Sequence, residues 1–235
     1  MKATYIYHII VLGVLTGFAS CQNDDFEVIQ GEETAFEIHT ATQTPTRTSL
    51  VDGKSVAWTA GDEIAVYDYS TPKRKFVAEI TDGSTRFKGK ITPKCGSFIA
   101  AYPYALAAEN DMSKKIVMHL PHEQVAVKDG FSDDLNISIA KGERNVDGSP
   151  SQVQFRNVCQ LFKFTIPEYA KERITKVQLS ASQAIAGELT IDYSEYDPVA
   201  ATNVQGAKTI TLTPAGENAT FASGDYYIVM APVKI

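Results

Sequence analysis

The sequence predicts an all-β fold, an antiparallel β-sandwich that follows a signal peptide and a polar tether. Short apolar runs recur at intervals of roughly 8–12 residues, and turn-forming Gly, Pro and Asp residues separate them. In many of these runs apolar and polar side chains alternate, which is the pattern of a strand with one buried face. Helical patterning is scarce and is limited to one short turn over Tyr104 to Asn110.

Length and charge narrow the choice of partners. The 235 residues suggest one large or two small domains, with enough chain to bury a core without a disulfide or a metal. There are 22 Lys and Arg residues and 28 Asp and Glu residues, which give a net charge of −6. Removing residues 1–20 takes away one Lys, so the mature charge is near −7 (21 minus 28). Phosphate binding needs a basic patch, and this balance therefore argues against nucleic acid as a partner.

Residues 1–20 are predicted to be a lipoprotein signal peptide. Lys2 gives the positive start, and Ile9 to Phe18 form an apolar run that is too short to span a membrane comfortably. The sequence Phe-Ala-Ser-Cys that ends at Cys21 resembles a lipobox, although Phe18 stands where Leu is usual. In a lipobox the cysteine thiol accepts the lipid. The alternative is an ordinary secretory signal that a cysteine happens to follow.

Residues 21–47 are predicted to be a tether or pro-segment, because they are rich in Glu, Asp, Gln and Thr. One short strand is expected within this segment, since the residues around Phe36 and Ile38 alternate and place these two side chains on one face. Arg47 follows in a polar Thr-Pro-Thr-Arg-Thr sequence, which we expect to be exposed and open to a protease. The folded body is predicted to occupy residues 48–235.

The body is predicted to open with a hairpin and to continue as a series of strands. Asp52-Gly53 is a turn signal, and Trp58 is expected to anchor the core rather than to stack on a sugar. Ile64 to Tyr67 form the first strand that enters the core. Further strands are predicted at Phe76–Ile80, Phe87–Ile91, Ser97–Tyr102, Ile116–Leu120, Asn136–Ala140, Val153–Ile166, Ile174–Leu179, Glu188–Asp192, Thr209–Thr213 and Tyr226–Met230.

No catalytic motif is visible, and we expect a protein that is not an enzyme and binds no cofactor or metal. The sequence contains neither a Gly-x-Ser-x-Gly nucleophile elbow nor a Gly-rich phosphate loop before a helix. His119 and His122 form the only close histidine pair, but Pro121 breaks the helix that usually presents such zinc ligands. Two acidic groups have the chemistry for Ca²⁺ but are expected to be solvated: Asp133 with Asp134, and Asp192 with Glu195 and Asp197.

Two cysteines lie in the body, Cys95 and Cys159. A secreted protein permits a disulfide, but a separation of 64 positions carries no information on geometry. Cys159 lies in an apolar run and is expected to behave as a small buried hydrophobe. The prediction is two free thiols.

An ordered set of segments gives the chain a resemblance to a known family. The segments are Arg47–Leu50, Val56–Tyr67, Ser97–Tyr104, Leu120–Gln124, Val153–Pro167 and Ala184–Gly187. In this order they are similar to the fimbrillin family, the lipoprotein-derived subunits of type V pili in Bacteroidetes-like bacteria. The resemblance covers roughly residues 20 to 235. It implies the N-terminal domain of a fimbrillin, with a sandwich of the transthyretin-like, Greek-key type.

The resemblance also implies how the protein is anchored and processed. Cys21 would carry a lipid such as palmitate in the outer membrane, and an acidic export signal would follow at Gln22 to Asp25. A trypsin-like protease would cut after Arg47, and a donor strand from a neighbouring subunit would replace the strand that is lost. Fimbrillins usually continue into a second β-domain that supplies this donor, whereas Tyr226 to Ile235 resemble the end of the first domain. Either the chain is truncated, or it is a short member that accepts a strand and terminates a fibre.

The residues themselves support strand exchange. Loss of the strand at Phe36 and Ile38 would uncover an apolar groove with unpaired backbone groups, which invites a strand from another molecule. The predicted function is a structural or accessory pilus subunit in adhesion, with other subunits and a host or bacterial surface receptor as partners. The alternative is a monomeric surface lipoprotein that binds glycan or a host ligand through its loops, with Arg47 left uncut.

Overall fold

The computed structural model describes residues 33–40, 49–51, 55–68, 73–93, 95–109, 115–192 and 201–232. Within these residues the predicted all-β, sandwich-like fold is confirmed, because eighteen strands occur and no α-helix does. The same residues include three short 3-10 helices, at Tyr104–Leu106, Asp133–Leu135 and Glu168–Ala170, and the first of them is the expected helical turn. No helix in this part of the chain is long and apolar enough to cross a membrane.

The strands are short and are labelled in chain order. The first nine are β1 (Thr34–Thr40), β2 (Ser49–Val51), β3 (Ser55–Ala57), β4 (Glu63–Tyr67), β5 (Arg74–Thr81), β6 (Ser84–Ile91), β7 (Ser97–Tyr102), β8 (Lys115–Leu120) and β9 (Glu123–Ala126). The others are β10 (Ser138–Glu143), β11 (Ser151–Val153), β12 (Arg156–Asn157), β13 (Gln160–Ile166), β14 (Val177–Ser180), β15 (Ala186–Asp192), β16 (Ala201–Ala207), β17 (Thr209–Pro214) and β18 (Gly224–Met230).

Most of the predicted strands are present, with ends within three residues of those expected. The run from Val153 to Ile166 is different, because it is divided among β11, β12 and β13 rather than forming one strand. These three strands pair with β1, β10 and β18 respectively, so the chain changes partner twice, and Phe155 and Val158 are buried between them. Strands β9 and β16 are missing from the prediction.

The predicted hairpin at the start of the body is confirmed. Strands β2 and β3 pair antiparallel, with Leu50 opposite Val56, and the predicted Asp52-Gly53 turn lies outside the described residues. A second turn follows, where the Thr59 backbone N–H donates to Asp62 Oδ2 at 2.7 Å. Gly61 in this turn has a φ of 94°, a left-handed conformation that favours glycine. The chain then enters β4.

One eight-stranded sheet organises the first part of the fold. Its strand order is β11-β1-β6-β5-β4-β7-β10-β12. The remaining strands form three-stranded sheets β14-β17-β9 and β16-β15-β8 and two-stranded sheets β13-β18 and β2-β3. Most pairs are antiparallel as predicted, but β1 with β11 and β17 with β9 are parallel. The sequence patterns did not indicate these two parallel pairs.

The buried apolar side chains form two clusters. The first core contains Phe36, Ile38, Ile64, Phe76, Phe87, Phe98, Val153 and Phe155, and the second core contains Met118, Leu189, Ile191, Ile210, Phe221 and Ile228. The middle of the eight-stranded sheet lies between them. In β7, Ile99 and Ala101 belong to the second core, whereas Phe98, Ala100 and Tyr102 belong to the first. Burial on both faces explains why this strand shows no apolar–polar alternation.

The eight-stranded sheet curls around the first core. Strands β1 and β7 are four places apart, which in a flat sheet corresponds to roughly 19 Å. The ring centroids of Phe36 in β1 and Phe98 in β7 are nevertheless only 5.5 Å apart. Near the two ends of the sheet, the Ser151 hydroxyl in β11 donates to the Glu143 carbonyl in β10. The first core is therefore enclosed by a single sheet.

Candidate functional site

Strand β1 lies inside the eight-stranded sheet and not at its edge. It pairs antiparallel with β6 over six positions, from Thr34 opposite Ile91 to His39 opposite Arg86. Its other edge pairs in parallel with β11, where Ile38 lies opposite Ser151. We call the space that β1 fills between β6 and β11 the β1 groove. The predicted strand is thus confirmed, and it is part of the sheet although it precedes Arg47 in the chain.

The inner face of β1 packs against the floor of the β1 groove, where the rings of Phe76 and Phe98 lie; we call these two the floor rings. Ile38 is fully buried and Phe36 is 8% exposed. The Phe36 ring meets the rings of Phe76 and Phe98 edge-on, with centroid distances of 6.3 and 5.5 Å. Ile38 lies opposite Phe87 on β6. Because edge-to-face ring pairs add to the stabilisation from burial, Phe36 is a specific anchor for β1 and not only a space filler.

Two glycines give the groove its depth. A Cβ atom on Gly89, the partner of Phe36 in β6, would lie 2.5 Å from the Phe76 ring and 2.7 Å from the Lys75 carbonyl oxygen. A Cβ atom on Gly142 in β10 would lie 2.2 Å from Cζ of Phe98. Each glycine therefore leaves the space that one of the two floor rings occupies.

Replacing Gly142 with alanine is expected to lower the free energy of unfolding by about 1–3 kcal/mol, because the Phe98 ring must shift against Phe36. Gly96 is the matched control, since a Cβ atom there meets nothing within 4 Å and its backbone is not left-handed. Gly96→Ala should change stability by no more than about 0.5 kcal/mol. Urea denaturation of both variants measures the difference, and equal stabilities would show that Phe98 does not need the space.

Charged side chains line the outer face of β1 and its N-terminal end. Glu37 lies 3.8 Å from Arg86 of β6 and also accepts a hydrogen bond from His39. Before the strand, Glu33 pairs with Arg74 and lies 3.8 Å from Lys90. The Glu33–Lys90 pair is solvent-exposed and contributes at most about 1 kcal/mol, whereas Glu37, His39 and Arg74 are half-buried. They orient β1, whereas burial of its inner face provides most of the stabilisation.

Arg74 links the start of β1 to a buried carboxylate. Its guanidinium lies 3.4 Å from Asp68, whose side chain is fully buried at the end of β4. Asp68 also accepts a hydrogen bond of 2.7 Å from the Thr92 backbone N–H, just after β6. A buried carboxylate needs such partners to remain charged. Glu33, Arg74 and Asp68 therefore connect the exposed end of β1 to the interior.

The two residues predicted for lipidation and cleavage, Cys21 and Arg47, lie outside the described residues. Arg47 is nevertheless located along the chain, because residues 41–48 connect β1 to β2. A cut after Arg47 would leave β1 joined to the rest of the protein by noncovalent contacts alone.

The structure confirms the prediction that Trp58 anchors the core. It is partly buried beside the first core, and its ring meets those of Phe87, Tyr102 and Phe155 edge-on at centroid distances of 4.9, 5.1 and 5.1 Å. Three ring contacts occupy the indole, which argues against a role as a sugar-stacking platform.

Those candidate metal ligands that the structure describes are not grouped into a site. His119 in β8 and His122 are both exposed, and so are Asp133 and Asp134 in the second 3-10 helix. Among the residues that the structure describes, no three His, Cys, Asp or Glu side chains are grouped as metal ligands. Asp192 ends β15, and its predicted companions Glu195 and Asp197 lie outside the described residues.

The two cysteines of the body are free thiols, as predicted. Cys95 is buried in the first core and Cys159 packs against the second. Desolvation raises the pKa of the Cys95 thiol to about 11, with a smaller contribution from the Asp68 charge. Desolvation likewise raises the pKa of Cys159 to about 12.

Neither thiol should react with iodoacetamide at pH 8 while the protein is folded. At that pH a thiol with a pKa of about 11 is about one-thousandth thiolate, and only the thiolate is nucleophilic. The check is intact-mass analysis after alkylation with and without urea. A Cys21→Ser chain is used, so that Cys95 and Cys159 are the only cysteines that can be labelled. Labelling of either residue in the absence of urea would contradict the expectation.

No protein-family model, curated protein or solved structure matches the chain. The fimbrillin family therefore remains a prediction, and the site rests on geometry. The sequence analysis did not predict that Gly89 and Gly142 leave room for the floor rings. The available signal was a glycine inside a strand pattern, which often marks a close approach of another group.

Proposed function

We propose that this protein is a structural or accessory subunit of a cell-surface pilus used in adhesion. In this proposal the chain is anchored in the outer membrane by a lipid on Cys21 and is released by a protease that cuts after Arg47. Other pilus subunits are its partners and bind by strand exchange at the β1 groove. It performs no catalysis and needs no cofactor in this role.

The position of β1 is the observation that supports the proposal. A tether that only linked the body to a membrane would gain nothing from a fully buried Ile38 or from an aromatic pocket around Phe36. Because β1 precedes Arg47, one cut turns an integral strand into a separable one. No other described strand lies on the N-terminal side of Arg47.

Removal of β1 would create a surface that requires a new strand. The backbone N–H and C=O groups of β6 and β11 that now bond β1 would lose their partners, and Phe76, Phe87 and Phe98 would be uncovered. Unpaired edges next to apolar surface are the features that drive strand addition from another chain. The strand that enters must be apolar at two alternate positions and aromatic at the first of them.

The deciding experiment maps the N-terminus of the mature protein from the cell surface by mass spectrometry. The proposal expects a chain that begins at Thr48 in sheared surface fibres. Arg47→Ala should abolish this form and reduce fibre incorporation, whereas Arg173→Ala, which changes another exposed arginine, should not. A chain that begins only at lipidated Cys21, even in fibres, would reject the stalk-subunit role and favour a stand-alone surface lipoprotein that binds glycan or host ligand.

A further inference from the structure

Two segments near the N-terminus share one pattern. Residues 34–40, which form β1, read Thr-Ala-Phe-Glu-Ile-His-Thr, and residues 24–30 read Asp-Asp-Phe-Glu-Val-Ile-Gln. Phe26-Glu27-Val28 therefore corresponds to Phe36-Glu37-Ile38 at a separation of ten positions. Ten is an even number, so in an extended chain the matching side chains lie on the same faces. Residues 24–30 lie outside the described residues, and their pattern is known from sequence alone.

We propose that residues 24–30 of an uncleaved copy of this chain occupy the β1 groove of a cleaved copy. The inference rests on the proposed function, because it requires that β1 can leave its groove. It goes beyond that function by naming the strand that replaces β1 and the copy that donates it.

Two inner positions of residues 24–30 fit the groove without overpacking, whereas Asp24 would take the half-buried position of Thr34, opposite Ile91. Phe26 takes the place of Phe36, between the Phe76 and Phe98 rings. Val28 takes the place of Ile38 and is smaller by one methylene, so it creates a small loss of contact and no clash. The requirement for two alternate apolar positions with an aromatic first is therefore met.

Charge on the outer face favours the same register. The side of β6 that faces solvent presents Lys90, Lys88 and Arg86 opposite positions 35, 37 and 39 of the strand in the groove. In that register Asp25 would lie opposite Lys90, where β1 has Ala35, and Glu27 would lie opposite Lys88. Opposite charges on directly paired strands are stabilising. The replacement loses the contact between His39 and Glu37, since Ile29 takes the histidine's position.

The donor must be a copy that has kept its N-terminal segment. Cleavage after Arg47 removes residues 24–30 together with β1, so a cleaved copy has neither strand to offer. In an uncleaved copy β1 fills its own groove, so residues 24–30 of that copy are not needed there. Only residues 31–33 separate the two strands, a span of roughly 14 Å when extended. The two bodies would therefore be in direct contact, which would attach a cleaved subunit to a lipid-anchored one.

Peptide exchange on the full chain tests the inference. The chain carries a single site for a specific endoprotease within residues 41–48 and is cut while folded, so that β1 remains bound. Peptides of residues 23–31 and residues 33–41 are then added separately, and native mass spectrometry measures which fragment occupies the protein. We expect residues 23–31 to displace β1, with an affinity roughly two- to twelvefold below that of residues 33–41, the usual effect of replacing Ile with Val.

Two peptide variants serve as controls for the register. Phe26→Glu should abolish displacement, because a carboxylate would be buried between the two floor rings. Asp25→Ala should weaken binding several-fold and should reduce its dependence on salt concentration, because the contact with Lys90 is lost. Equal binding by Phe26→Glu and the parent peptide would reject this mode of docking.

The outcomes separate the inference from the proposed function. If residues 33–41 exchange but residues 23–31 do not, the replacement strand is not residues 24–30, and strand exchange as such is unaffected. If neither peptide exchanges under conditions in which the cut chain stays folded by circular dichroism, both the inference and strand exchange at the β1 groove are rejected.

Discussion

Replacing Ile38 with alanine is expected to lower the free energy of unfolding by about 2–5 kcal/mol, the range for truncating a large aliphatic side chain in a packed core. Ile38 is fully buried and lies between Phe87 on one side of β1 and Ser151 on the other. The curled sheet closes around this position, so its neighbours have little freedom to collapse into the space. The loss should therefore lie in the upper half of that range.

Ile80 provides a control with the same chemistry. It lies in β5 of the same sheet but is 44% exposed. Ile80→Ala should cost at most about 1 kcal/mol, because its side chain has less contact to lose. Urea denaturation of the two variants and the parent measures both effects. If Ile38→Ala is no more destabilising than Ile80→Ala, then β1 is not an integral strand in solution.

The same pair of variants also bears on exchange. After cleavage within residues 41–48, β1 is held by its backbone ladder, by the ion pairs of Glu33 and Glu37, and by the burial of Phe36 and Ile38. Ile38→Ala should therefore speed the loss of β1 from the cut chain, whereas Ile80→Ala should leave the rate unchanged. The release rate from native mass spectrometry distinguishes a role in holding β1 from a general loss of stability.

Local patterns were sufficient to predict β1 and most of the other strands. Phe36 and Ile38 alternate with Glu37 and His39, and this period of two predicts both the strand and its buried face. The Asp52-Gly53 signal predicted the β2–β3 hairpin for a similar reason, since turn chemistry depends on neighbouring residues only. Where neighbouring residues determine an element, its sequence pattern therefore predicts it.

The pairing of distant strands could not be predicted in this way. Nothing in β1 indicates that its two neighbours are β6 and β11, because any strand with an apolar face is compatible with many partners. The continuous apolar run of β7 indicates burial on two faces but not which cores lie there. The curl of the sheet, which brings Phe36 to Phe98, follows from the order of all eight strands together.

The polar contacts that join sheets were also invisible in the sequence. Gln124 in β9 is a polar residue in a short alternating segment and gives no sign of being buried. The structure shows it 3% exposed and bonded to Val229 of β18, which lies 105 residues away. A side chain that replaces a backbone ladder bond needs its partner's position to be known, and the sequence does not contain that position.

Replacing Gln124 with leucine is expected to destabilise the protein by about 2–5 kcal/mol. The amide Nε2 donates to the Val229 carbonyl at 2.7 Å, and Oε1 accepts from the Val229 N–H at 3.1 Å. Leucine keeps the volume but leaves both backbone groups buried without this partner, at about 1–3 kcal/mol each. Nε2 also donates to the Pro121 carbonyl at 3.2 Å, which adds a third contact to be lost.

Gln178 provides the matched control for this substitution. It is exposed in β14, and its Nε2 donates to Thr211 Oγ1 at 3.1 Å. In Gln178→Leu, water can replace this hydrogen bond. Gln178→Leu should shift stability by no more than about 0.5 kcal/mol in urea denaturation. Hydrogen exchange adds a local readout, because the Val229 amide should exchange faster in Gln124→Leu than the loss of global stability alone requires. An unchanged Val229 amide would mean that β9 and β18 are held together by apolar packing and not by the Gln124 side chain.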